Sequence, residues 1–180
     1  MIPIEVFWGT LILTFGVIGA VRGVAKELGT AAVLALTLFA LWFGWDRAGD
    51  LVVDLVQQGP FEQLTAAQIE ALYYTWAVLI VAFLAYEGIV LRFPLKLKGL
   101  LNNIFGFMIG LLNGYLVAGT IWDVSAHGKY YWPTIKIVTA PFSDLHNSII
   151  QYLPVTLMNE FSPFPMLLLG MLLLLAIVIK

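Results

Sequence analysis

Long apolar runs separated by short polar clusters set the pattern of this chain. A hydrocarbon core about 30 Å thick is crossed by roughly 20 apolar helical residues, and five stretches approach that length. The first runs from Val6 to Val21, extended to Ile2 if Glu5 sits among the headgroups, and the second from Leu28 to Trp45. The third, Ala71 to Leu91, contains one carboxylate, Glu87, and the fourth runs from about Gly99 to Trp122. The fifth, Phe161 to Ile179, has Pro163 and Pro165 near its start, so its firmly apolar part is Met166 to Ile179. Backbone groups in lipid must be bonded within their own segment, which predicts a helix for each run. Two amphipathic helices are predicted between the spans. In one, Leu51, Val52, Leu55 and Val56 recur at helical spacing among Asp50, Asp54 and Gln57. It should lie along the interface and end at Gly59 and Pro60, and the capping-box spacing Thr65 to Gln68 should start the third span. In the other, Pro141 and Ser143 precede Leu145, Ile149, Ile150 and Leu153, and Pro154 closes the segment.

Composition turns the pattern into a class. Hydrophobic residues make up 61% of the 180 and charged residues 11%, against about 25% charged in an ordinary globular domain. With a mean hydropathy of +0.94, the expectation is an all-α, polytopic membrane helical bundle forming a single domain. The net charge of −2 comes without a run of basic residues, which argues against a nucleic-acid partner. The absence of cysteine excludes disulfides, thiolate metal sites and thiol nucleophiles. A cleavable signal peptide has basic residues before its apolar core, whereas the first one here, Arg22, follows it. The first run is therefore expected to remain as a membrane anchor.

Charge also orients the spans. One side receives Arg22, Lys26, Arg92, Lys96, Lys98 and Lys180, which is six of the nine basic residues. The other holds Arg47, Lys129 and Lys136 together with most of the acidic residues. The positive-inside rule places the N-terminus outside and the C-terminus in the cytoplasm. Trp8, Trp42, Trp45, Trp76, Trp122 and Trp132 all fall toward the outer side, where indole rings favour the headgroup level.

The small residues predict packing. Gly106, Gly110, Gly114 and Ala118 recur every four residues in the fourth span, and Gly9, Gly16 and Gly23 recur every seven in the first, with Gly19 on the same side. Such stripes let backbones approach closely. They serve either the chain's own bundle or a docking face for a partner subunit.

Candidate chemistry is sparse. Glu87 is the one ionisable residue well inside a predicted span and could pair with Arg92, or with Arg22 and Lys26 across the bundle; proton or ion handling is the alternative. His127 and His146 lie 19 residues apart, without metal-pair spacing, and read as surface or interface histidines. No histidine falls within a span to ligate haem or chlorophyll, and no cofactor or metal is expected. Nucleotide-binding, zinc-protease and serine-hydrolase motifs are absent. Asp123, Ser125 and His127 have the residue types of a hydrolytic triad but are too crowded to chain nucleophile to base to carboxylate. The stretch KYYWPTIKI, Lys129 to Ile137, reads as an interface anchor or subunit contact. In GAVRGVAKELG, Arg22 and Lys26 read as a topology anchor at a tight turn, with Glu27 neutralising part of their charge; recognition of anionic lipid or of a cytoplasmic partner is the alternative.

The pattern Gly19, Arg22, Gly23 and Glu27 between the first two spans resembles the colicin V production protein family, and LNNIFGFMIGLLNGYLVAG, Leu101 to Gly119, is similar to that family's later glycine-rich helix. The likeness covers roughly residues 1–122. Asn103 stands where the family usually has arginine and Asn113 where a basic residue is common. The resemblance implies a small bacterial inner-membrane protein connected with bacteriocin export and envelope upkeep, with no catalytic site to carry over. The sequence therefore favours a non-enzymatic accessory subunit in the lipid bilayer, packed against other membrane protein subunits of a larger complex, respiratory or photosynthetic among the options. A small channel or transporter component, alone or as a homo-oligomer, is the alternative, and a membrane enzyme ranks last.

Overall fold

The computed structural model describes residues 4–59, 61–88, 93, 97–127 and 144–178. Among them every regular element is helical and there is no strand. Helix α1 is Ile4–Arg22, α2 is Val24–Gln57, α3 is Ala66–Glu87 and α4 is Gly99–Gly114. A π-helical turn, Tyr115–Gly119, continues α4 into α5, Thr120–His127. Three shorter helices follow: α6, Asp144–Ile150; α7, Pro154–Glu160; and α8, Phe164–Val178. Four segments are long and apolar enough to cross a membrane, and α7 with α8, bent by 114°, makes a fifth if the pair counts as one broken span. The chain is an all-α membrane protein.

The first two helices are separated by one residue. Gly23 sits at φ +83°, a left-handed conformation that costs glycine little and a side-chain-bearing residue more, so the chain reverses there without a loop. Asn102 Oδ1 then accepts from the Val24 N–H at 3.2 Å, satisfying one of the free donors at the start of α2.

Helix α2 differs from expectation. The segment predicted as a separate interfacial helix after Trp45 is the last part of one 34-residue helix, because nothing between Trp45 and Gln57 breaks it. Its single glycine there, Gly49, packs under the Trp45 ring. At about 1.5 Å per residue the helix is about 50 Å long, more than the hydrocarbon core spans.

The capping box that starts α3 is present as predicted. Gln68 N donates to Thr65 Oγ1 at 3.3 Å, and Gln68 Oε1 accepts from Thr65 N at 2.8 Å. Thr65→Ala is expected to lower stability by about 1 kcal/mol, measurable by thermal unfolding in detergent, and Thr65→Ser to lose much less.

The broadest helix contact is α1 against α4, and it is the glycine seam. A methyl built on Gly19 would meet Gly106 O and Gly110 Cα, one on Gly110 would meet Phe15 O and Gly16 Cα, and one on Gly114 would meet Ile12 O and the Phe15 side chain. Gly16 faces Leu111 and Phe107, and Gly23 faces the Asn102 amide. The stripes thus close on each other inside the bundle. Gly9 is the exception: it is exposed, and among the described residues no atom lies within 4 Å of a built methyl. Ala118 is buried on the π turn.

The end of the bundle opposite Arg22 is closed by α6 and α7. Tyr115 Oη donates to Tyr152 O at 2.6 Å, and Trp42 Nε1 to Asn159 Oδ1 at 2.9 Å. Trp8 and Trp122 stack with ring centroids 6.4 Å apart and are both buried in the core. They pack within the protein and do not form part of an outward-facing belt, whereas Trp76 is exposed.

Candidate functional site

The helix ends gathered around Arg22 enclose a cluster of polar side chains. Glu27, one turn into α2, is 0% exposed. An isolated carboxylate in such a place would be very costly, and it persists only if paired and hydrogen-bonded. Three helices supply the partners. Arg22 at the end of α1 donates from Nη1 to Glu27 Oε1 at 2.6 Å. Tyr86 on α3 donates its hydroxyl to Oε2 at 3.0 Å, and Asn113 on α4 donates from Nδ2 to Oε2 at 2.7 Å and to Glu27 main-chain O at 3.0 Å.

Arg22 is held from several sides. Its Nη2 donates to Ala85 O at 3.1 Å and its Nη1 to Thr30 Oγ1 at 3.4 Å. The guanidinium also lies 4.1 Å from the centre of the Tyr86 ring, a cation–π contact that strengthens away from water. One ion pair therefore ties together α1, α2, α3 and α4. Lys26, by contrast, is exposed.

A second buried carboxylate lies toward the other end. Asp123 on α5 is 0% exposed. Its Oδ2 accepts from Thr156 N at 2.8 Å and its Oδ1 from Thr156 Oγ1 at 2.8 Å. A carboxylate on main-chain N–H groups at a helix start is favoured by the helix dipole, so Asp123 pins the first turn of α7. His127 Nδ1 stands 3.1 Å from Asp123 Oδ1, one turn along the same helix. Both carboxylate oxygens are thus engaged, and Ser125 is buried nearby.

The expected partners of Glu87 are different. Glu87 is exposed at the end of α3, Arg22 is committed to Glu27, and Arg92 lies outside the described residues. The buried acid beside Arg22 is Glu27, which hydropathy places in a loop. Its partners Asn113 and Tyr86, and Thr30 beside Arg22, form no sequence motif; an asparagine in an apolar glycine-rich helix is the available signal. The stretch from Lys129 to Ile137 also lies outside the described residues.

His146 departs from the surface assignment, being 1% exposed. Its Nδ1 accepts from Trp122 Nε1 at 3.1 Å, so that nitrogen must be unprotonated. Burial pushes its pKa below the usual 6.5, outweighing the opposing charge of Glu5. A histidine whose folded pKa is lowered keeps its full contribution above about pH 6.5. As the pH falls from there through the lowered value, the unfolded chain binds the proton first and stability is lost. Thermal unfolding followed against pH should show this acid-side loss, and His146→Gln should flatten it.

Among the described residues no cluster of three or more histidine, aspartate or glutamate side chains could hold a metal ion. Comparison with family models, with curated proteins and with solved structures gives no match. The arrangement itself is one of fixed charges joined across helices.

Proposed function

We propose that this protein is a non-enzymatic structural subunit of a larger membrane assembly, oriented with its N-terminus outside. The observation that carries the reading is the seating of α8. This helix has no polar residue, and among the described residues its one extensive contact is with α2, where Gly170 receives Leu36. Phe164, Leu168, Met171, Leu172 and Leu175 point away from the bundle. An apolar helix fastened along a single line offers neighbouring helices a broad surface, while the Glu27 and Asp123 clasps hold the rest rigid. The charge distribution supports the orientation, and the pattern of Gly19, Arg22, Gly23 and Glu27 across the one-residue break supports kinship with the colicin V production family.

The test is a photo-crosslinking residue at Leu172, with the protein in the membranes where it is made. Adducts with a reproducible set of other membrane proteins, retained through mild-detergent purification, are the expected result. Adducts with lipid alone overturn the reading, and adducts with a second copy replace it with a homo-oligomer. A channel or transporter component is the second reading, favoured by the two wholly buried carboxylates. It requires ion flux in liposomes that Glu27→Gln abolishes.

A further inference from the structure

The clasp around Glu27 leaves one atom over. Asn113 is 0% exposed, and its Nδ2 directs both hydrogens to Glu27, one to Oε2 and one to the main-chain oxygen. Those bonds fix the amide orientation. Exchanging its oxygen and nitrogen would set Oδ1 against a carboxylate oxygen at 2.7 Å, two acceptors without a proton between them. Asn113 Oδ1 therefore faces away from Glu27, and among the described residues it meets no donor. Buried carbonyl oxygens are nearly always paired, with protein or with ordered water.

A second observation falls at the same place. Two residues beyond Asn113 the helix widens into the π turn Tyr115–Gly119. Such turns are rare and recur at functional sites, and helices deform where a side chain or water enters the hydrogen-bond ladder.

Charge decides which ligand suits the free oxygen. Arg22 and Glu27 already cancel, so a sodium or ammonium ion at Oδ1 would leave a net positive charge in a low-dielectric interior. A neutral donor adds none. We propose that Asn113 Oδ1 is a binding site for one water molecule, held where α1, α2, α3 and α4 converge. The clasp is then a hydrated polar core.

The experiment uses the full-length, unsubstituted protein, uniformly carbon-13 labelled in lipid bilayers, with solid-state NMR transfer of magnetisation from water to carbon. At mixing times shorter than the exchange lifetime of side-chain amide hydrogens, Asn113 Cγ should gain signal several-fold faster than the side chains of Val78 and Ala35, both 0% exposed. A build-up as slow as theirs, or one that appears only at long mixing times, overturns the proposal.

Discussion

Replacing Gly19 by alanine is expected to force α1 away from α4 and to cost about 3 kcal/mol or more, the upper part of the range for overpacked interiors. The obstacle is backbone. The added methyl would overlap Gly106 O and lie 2.8 Å from Gly110 Cα, and neither atom can move unless the helix moves. The contact is reciprocal, since a methyl on Gly106 would meet Gly19 O and, at 3.1 Å, Gly23 Cα. Gly106→Ala should therefore cost as much as Gly19→Ala. At Gly16 the nearest atom is the end of the flexible Leu111 side chain, at 2.7 Å, so Gly16→Ala should be milder. Gly9→Ala meets nothing among the described residues and should be neutral or, through helix propensity, stabilising by up to about 1 kcal/mol. Unfolding by a denaturing detergent, followed by circular dichroism, reads all four. If Gly19→Ala and Gly9→Ala both stay within about 0.5 kcal/mol of the parent protein, the seam does not hold the bundle.

The contrast between Gly19 and Gly9 shows how far spacing alone reaches. Recurrence every four and every seven residues marks two smooth faces, and in the structure those faces meet, because close approach needs the absence of side chains and little else. It could not locate the end of the seam. Gly114 is the last glycine of α4 before the π turn Tyr115–Gly119, and that turn follows no spacing rule that would announce it. Gly9, beyond that point, is left outside while Trp8 turns inward to stack on Trp122.

Helix α2 shows the converse. Hydropathy falls at Asp46 and ends the apolar span there, yet hydrogen bonding along a helix is indifferent to a change from apolar to amphipathic residues. Only Gly59 and Pro60 interrupt the pattern, and Gln57 is where the helix ends. The acids were misplaced for a related reason. Glu87 lies in an apolar window and Glu27 in a polar one, but burial depends on the neighbours that surround a side chain. Asn113 and Tyr86, which close over Glu27, are 86 and 59 residues away along the chain. The Asp123–Thr156 clasp joins positions 33 residues apart and was illegible on the same ground.

The other large effect concerns Arg22 and Glu27. Arg22→Met leaves a wholly buried carboxylate without its countercharge, and Glu27→Gln leaves a guanidinium without its own; each should cost about 3–5 kcal/mol. The double variant removes both charges and keeps an amide that can still accept from Tyr86 or Asn113, so it should cost much less than the sum, with a coupling energy of about 2–3 kcal/mol. Single costs that add within about 0.5 kcal/mol would mean that the pair is not coupled. Arg22→Lys then separates charge from geometry. A residue that only anchors topology needs a positive charge, and lysine supplies it. The observed Arg22 also reaches Ala85 O at 3.1 Å and Thr30 Oγ1 at 3.4 Å, and covers the Tyr86 ring. A compact ammonium cannot reproduce that planar fork. Arg22→Lys should thus lose about 1.5–3 kcal/mol, the value of a hydrogen bond to a charged group, although the charge on that side of the membrane is unchanged. If lysine instead restores full stability, Coulomb attraction alone holds the four helix ends together.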